Sequence, residues 1–262
     1  MNILLYCNCQ ADGVLHFLEK TPFGQTNAFK VFHNFRLILM EQDRDEFYKS
    51  LQQADLIIYQ PTLPLDCRDG HQIPDSDALF AKYVRPEVPR ISFAYQFQSG
   101  FFPILKVAPG FEGWITGNEV RRDVRGGGQR ELMQRFDFDF LRYDCARRFI
   151  ECLAEQSRRE QTCDVKMVDW ILANYQTQRL FLTQNHPASA LFAELTKRIM
   201  EKISIDYAWL NIPFDGINDA QLPGTMPVHP AVVRELGLKY PADQDQSVFR
   251  TLLEQFVANP NL

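Results

Sequence analysis

The first ten residues, Met1-Asn2-Ile3-Leu4-Leu5-Tyr6-Cys7-Asn8-Cys9-Gln10, carry the reading of the fold. Ile3 to Tyr6 is a short unbroken apolar run, the pattern of a parallel strand buried on both faces. Gln10 to Lys20 follows at once, with Val14, Leu15, Phe17 and Leu18 on a helical period. Working outward, Phe29 to Phe35 alternates as a second strand and Arg44 to Gln53 reads as a helix. Asp55 to Tyr59 is another compact buried strand, stopped by Pro61 and Pro64. Arg90 to Tyr95 is the next, bounded upstream by Pro86 and Pro89. Short apolar strands alternating with helical segments predict an α/β fold with a parallel sheet.

The second half is expected to be mostly helical. Phe97 to Gly127, running into Gly126 to Gly128, reads as a long functional loop. Gln129 to Tyr175 turns helical, with Val165, Val168, Ile171, Leu172 and Tyr175 on one face. Arg179 to Thr183 reads as a further strand, and Pro187 suits the first turn of a helix continuing through Leu191, Leu195, Ile199 and Ile203. The tail from Asp206 is Pro-rich and ends in a helix at Val248 to Val257. No repeat or low-complexity linker interrupts the chain. The expected organisation is therefore a single domain over residues 1–262, with a core over about 1–205 and a C-terminal extension over about 206–262.

Composition excludes several classes of function. A net charge of −5 lacks the concentrated basic surface that releases counterions from nucleic acid, so no nucleic-acid partner is expected. Two local basic clusters exist, Arg121 with Arg122 and Arg125, and Arg142 with Arg147 and Arg148. Their bland reading is a solvated face, and the sharper one is a phosphate-bearing ligand. The six cysteines have neither the spacing of a disulfide framework nor a CxxC pattern, and no second Cys or His pair completes a zinc site. No metal is expected. Without a leader or an apolar run long enough to span a bilayer, a cytoplasmic location with reduced thiols is expected.

Chemistry points to the turn after the first strand. Cys9 sits at the carboxyl edge of the sheet and at a helix start, where ligands bind in open α/β sheets. A helix N-terminus is expected to lower a thiol pKa, and its backbone N–H groups can stabilise an oxyanion. The competing reading of Cys9 is a small buried filler. Asn8 and Gln10 flank it with amides for orientation or oxyanion donation, and Gln60, Gln96 and Gln98 follow later strands toward the same edge. His186, in Thr183-Gln184-Asn185-His186-Pro187, is expected on that rim as the base partner of Cys9, with His229 next among the histidines. A carboxylate orienting His186 is not singled out: Asp12, Asp164 and Glu160 all qualify.

Taken in order, Asn8-Cys9-Gln10, Gln60, Arg159-Glu160 and Asn185-His186-Pro187 resemble the motifs of the WcbI family. The resemblance spans most of the first 200 residues, and Cys7 stands where that family commonly has Gly. The order of the motifs is also similar to that of the SGNH hydrolases, which carry an Asp three residues before the His, where this chain has Thr183. The resemblance implies a Rossmann-like, SGNH-like core and a CoA-dependent acetyltransferase of capsular or surface polysaccharide biosynthesis. Acetyl-CoA would be the co-substrate and a sugar or polysaccharide precursor the acceptor. Cys9 and His186 would then be catalytic, Asn8 and Gln10 would hold the oxyanion or orient the substrate, and Gln60, Arg159, Glu160 and Asn185 would bind substrate or CoA. The alternatives are an SGNH-like esterase or deacylase, and a non-catalytic ligand-binding protein.

Overall fold

β1 (Asn2–Cys7) is buried from Ile3 to Cys7, as an unbroken apolar run requires when both faces of a strand are covered. It pairs in parallel with β2 (Ala28–His33) on one side and β3 (Leu56–Tyr59) on the other, Ile3 lying opposite both Phe29 and Leu56. β6 (Arg90–Ser92) completes a four-stranded parallel sheet in the order β2-β1-β3-β6. Between β3 and β6 a short antiparallel pair forms, β4 (Leu65–Asp66) with β5 (Gln72–Ile73). Helices α1 (Gln10–Leu18), α2 (Pro22–Thr26), α3 (Asn34–Leu39), α4 (Glu41–Gln53) and α5 (Ser76–Tyr83) make the connections. Leu4, Tyr6 and Ile57 pack with Phe47 and Leu51 of α4 and Leu79 and Phe80 of α5. Strand periodicity turns Ile3, Leu5 and Ile58 to the opposite face, where they are equally buried.

The computed structural model describes residues 1–102, 105–107, 114–116, 130, 133, 134, 144–203, 226–247, 250, 251 and 254. The chain forms two compact units. The first is Met1–Tyr95, Ser157–Met167 and Phe192–Gly216, and the second is Gln96–Gln156, Val168–Leu191 and Ile217–Leu262. Two of the boundaries fall inside helices, α6 (Cys145–Glu160) and α8 (Ser189–Lys202). α7 (Val168–Asn174) and α9 (Pro230–Leu236) belong to the second unit, whose core is aromatic. There Phe101 packs on Phe149 and Phe181 at ring separations of 5.5 and 6.0 Å, and Phe149 packs on Tyr175 at 4.4 Å.

Several expectations are corrected. Arg179 to Thr183 forms no strand; Phe181 makes a single bridge to Pro187, and the chain turns back on itself through Leu182 N–H donating to the His186 carbonyl. Arg179 is meanwhile tied to Asp243 and to the Met226 carbonyl. Pro187 is thus spent on the turn, and α8 starts at Ser189. Leu191, Leu195 and Ile199 do form its buried stripe. Val165 extends the sheet by a parallel bridge to Phe93, and Leu172 is half-exposed, so the expected helical face breaks at both places. The Phe97–Gly127 segment contains an antiparallel pair, β7 (Leu105–Val107) with β8 (Trp114–Thr116); most of its remainder, and most of Val248–Val257, lie outside the described residues. The Pro-rich tail carries the unexpected α9, whose N-cap His229 accepts the Ala231 N–H through Nδ1 at 3.1 Å.

Candidate active site at the sheet switch point

The strand order reverses direction at β1, since the chain runs from β1 outward to β2 and then across to β3. Open α/β sheets bind ligands at such a reversal, outside the carboxyl ends of the two strands that flank it. Asn8-Cys9-Gln10 leaves the end of β1 and Gln60 leaves the end of β3, so both belong to this point. A directed chain of amides joins them. The Asn8 N–H donates to Gln60 Oε1 at 3.0 Å, Gln60 Nε2 donates to Gln10 Oε1 at 3.0 Å, and the Gln10 N–H donates to Asn8 Oδ1 at 2.9 Å. Gln10 and Gln60 are buried, where unmade hydrogen bonds cost most, so each bond in the chain fixes which way the next amide faces. The Asn8 Oδ1 is taken by the Gln10 N–H, which leaves Nδ2 as the donor of that amide.

This arrangement spends the backbone donors that might have held an oxyanion. Besides Asn8 and Gln10, the Ala11 N–H donates to the Asn8 carbonyl at 3.0 Å and the Asp12 N–H to the Cys9 carbonyl at 3.3 Å. Cys9 occupies the N-cap position of α1 in helical conformation and is partly exposed. Its pKa runs opposite to the helix-start expectation: burial pushes it up, Asp12 in the first turn adds to this, and its own backbone N–H offsets only part. Cys7 lies fully buried beneath it in sequence, its thiol directed at the Ile58 carbonyl, and burial raises its pKa strongly. His186, in the second unit, is exposed, and desolvation lowers its pKa. Its Nδ1 lies 2.8 Å from the hydroxyl of the buried Thr183.

A family model described as polysaccharide biosynthesis enzyme WcbI matches residues 2–207. The chain belongs to the WcbI family. It is similar to a solved structure of WcbI, a novel polysaccharide biosynthesis enzyme, in the native form without a disulfide bond between coenzyme A and a cysteine. The TM-score is 0.77 at 19% identity, over 99% of this chain and 90% of that one, and the likeness shows the α/β fold. A search of curated proteins finds no match.

Within this WcbI-family chain the other expected site residues divide between the units. Arg159 and Glu160 lie with Cys9, Gln10 and Gln60 in the first unit, as the last two residues of α6. Asn185 and His186 lie in the second. Two candidate orienting carboxylates have other partners: Asp12 Oδ1 meets His33 Nε2 at 3.1 Å, and Asp164 Oδ2 accepts both the Ser92 N–H and hydroxyl at 2.8 and 2.7 Å. Glu160 is buried. Gln98 is spent in the second unit, where its N–H donates to the Gln184 carbonyl and its Nε2 to the Phe149 carbonyl. Arg147 pairs with Asp144 and Glu151 at 3.2 and 2.7 Å, the bland reading of its cluster, while Arg121, Arg122, Arg125 and Arg142 lie outside the described residues. Among the described residues no group of His, Cys, Asp and Glu is arranged to hold a metal, and no helix is long and apolar enough to cross a membrane.

Proposed function

We propose that this WcbI-family enzyme is an acyltransferase that moves an acetyl group from acetyl-CoA to a sugar hydroxyl during polysaccharide biosynthesis, with Cys9 as nucleophile and His186 as base. The observation that carries the reading is the place of Cys9, a partly exposed thiol held by an amide chain at the switch point of the sheet. The similar WcbI structure supports it, because coenzyme A and a cysteine are the pair between which that native form has no disulfide bond, and the CoA sulfur is the atom that carries the acyl group. The donor set fits a thioester carbonyl: one thiol next in sequence to an amide donor, Asn8 Nδ2, with Gln10 and Gln60 holding the turn.

The electrostatics support these roles. Cys9, raised by burial and Asp12, is a thiol at neutral pH and needs a base, whereas His186, lowered by desolvation, is a neutral imidazole there and can act as one. His186 takes the Cys9 proton, and the sulfur adds to the acetyl carbonyl. The oxyanion meets Asn8 Nδ2. The carbon–sulfur bond to CoA breaks, CoA leaves as a thiol with the proton returned by His186, and acetyl-Cys9 remains. The sugar hydroxyl then adds to this second thioester, giving its proton to His186, and the Cys9 thiol is restored. Asn185, Arg159 and Glu160 are assigned to binding the two substrates.

The test is thermal unfolding of the reduced protein with and without coenzyme A. A ligand at a hundred times its Kd adds about 2.7 kcal/mol, which for a chain of this size raises Tm by roughly 5–10 °C. The same shift is expected in Cys9→Ser, since binding does not need the thiol. No shift in large excess of coenzyme A would overturn the proposal and turn attention to ester hydrolysis.

A further inference from the structure

We infer that Thr183 is the positioning residue for His186, holding the imidazole with its proton on Nδ1 and its lone pair on Nε2. This rests on the reading of His186 as the base. The Thr183 side chain is 1% exposed and touches three groups of the turn it opens. Its Oγ1 receives the His186 backbone N–H at 3.2 Å, donates to Asn185 Oδ1 at 3.2 Å, and lies 2.8 Å from His186 Nδ1. A hydroxyl has one proton and two lone pairs. The proton goes to the Asn185 carbonyl oxygen, which can only accept, and one lone pair takes the backbone N–H. The remaining lone pair faces Nδ1, so this bond forms only when Nδ1 carries the hydrogen. The second nitrogen, Nε2, is then the basic one, at the far end of the ring.

A neutral hydroxyl thus does here the orienting work that a carboxylate does in Ser–His–Asp triads, fixing tautomer and ring direction. Unlike a carboxylate it adds no negative charge, so it does not favour the imidazolium, in keeping with a base that stays neutral near pH 7. The turn supplies rigidity: Leu182 N–H donates to the His186 carbonyl at 2.8 Å, and Pro187 bridges to Phe181, closing the loop on which both residues sit.

Ring nitrogen-15 spectra of the full-length protein above the imidazole titration test this, with His186→Gln assigning the signal. Wild type and Thr183→Ser should both show a protonated Nδ1 and a bare Nε2. Thr183→Val, of similar shape but without the hydroxyl, should shift the ring toward the Nε2-protonated form. It should also lower CoA release from acetyl-CoA by about 100-fold in kcat, the cost of misplacing a catalytic group, with KM little changed. A wild-type ring protonated on Nε2, or ring signals unaltered in Thr183→Val, would overturn the inference. Should Thr183→Val fail to fold, the wild-type and Thr183→Ser spectra decide it. The nitrogen spectra do not depend on turnover, so absence of CoA release in wild type would count against the acyltransferase reading and leave the Thr183 result standing.

Discussion

The oxygen of the Asn8 side chain accepts the Gln10 N–H at 2.9 Å, while its nitrogen is the donor assigned to the oxyanion, so the two ends of one amide can be tested apart. Asn8→Asp keeps the acceptor, deletes the donor and adds a negative charge beside a thiol already pushed up by burial and by Asp12. Acetyl transfer should fall by about 10²–10³-fold, the cost of one oxyanion donor, while Tm stays close to wild type. Asn8→Ala also loses the bond that holds the start of α1 and should cost about 1 kcal/mol of stability besides. Steady-state kcat with parallel melting curves separates the two, and an undiminished kcat in Asn8→Asp removes Asn8 from the chemistry. The positions of Asn8, Cys9, Gln10 and Gln60 were legible in the sequence because each lies within three residues of the end of a buried strand, and parallel strands deliver their ends to one edge. The direction of the amide chain was not legible, because it depends on which neighbour each oxygen meets in space. For the same reason Thr183 read only as a missing carboxylate, although it lies within hydrogen-bond reach of His186.

The helices of the first unit show how one small residue admits a neighbour. Gly13 lies inside α1, and a Cβ built there would run into the Phe192 ring of α8. Replacing an interior helical Gly with Ala gains about 0.5–1 kcal/mol of backbone stability, but overpacking of this kind costs about 1–3 kcal/mol. Gly13→Ala should therefore destabilise the protein by roughly 1 kcal/mol or more in urea unfolding. In a Phe192→Ala background the clash is gone and the same change should become stabilising. A double-mutant cycle reads the sign reversal, and additive effects would show that α1 does not depend on this approach. Helix α9 had a readable start and stop in Pro230 and Gly237, the latter left-handed at φ 61°, yet the Pro-rich surroundings masked it. The strand expected at Arg179 to Thr183 failed for the opposite reason. Its apolar run is genuine, with Leu180, Phe181 and Leu182 buried, but that burial is by the aromatic core and turn of the second unit. A short apolar run records burial, not the partner that provides it.

At the scale of the whole molecule, burial of weak acids makes stability depend on alkaline pH. Burial raises the thiols of Cys7, Cys67 and Cys163, the last to about 11, and the Tyr6 phenol to about 12. An acid whose native pKa is raised keeps its proton in the folded state after the unfolded chain has lost it. Its contribution is then complete below the ordinary thiol range and shrinks as pH climbs from about 8.5. Each thiol ionised only in the unfolded chain lowers stability by roughly 1.4 kcal/mol per pH unit. Unfolding free energy in reductant should hold level from pH 7 to 8 and fall steeply between about pH 9 and 10.5. Cys163→Ala should fall less steeply over the same range. A level profile up to pH 10.5 would mean that these thiols reach solvent in the folded protein.

The sequence by itself determined the α/β class, the parallel pairing of the first strands, the family to which the chain belongs and the place of Cys9. These follow from local apolar runs and from short motifs in a set order, which any strand-to-helix turn must respect. Only the tertiary structure decided that the backbone donors beside Cys9 are already committed, that its thiol is raised rather than lowered, and that Thr183 holds Nδ1 of His186. Proton positions and pKa values are set by the desolvation and hydrogen bonds that a side chain meets after folding, and neighbours distant in the chain supply most of both.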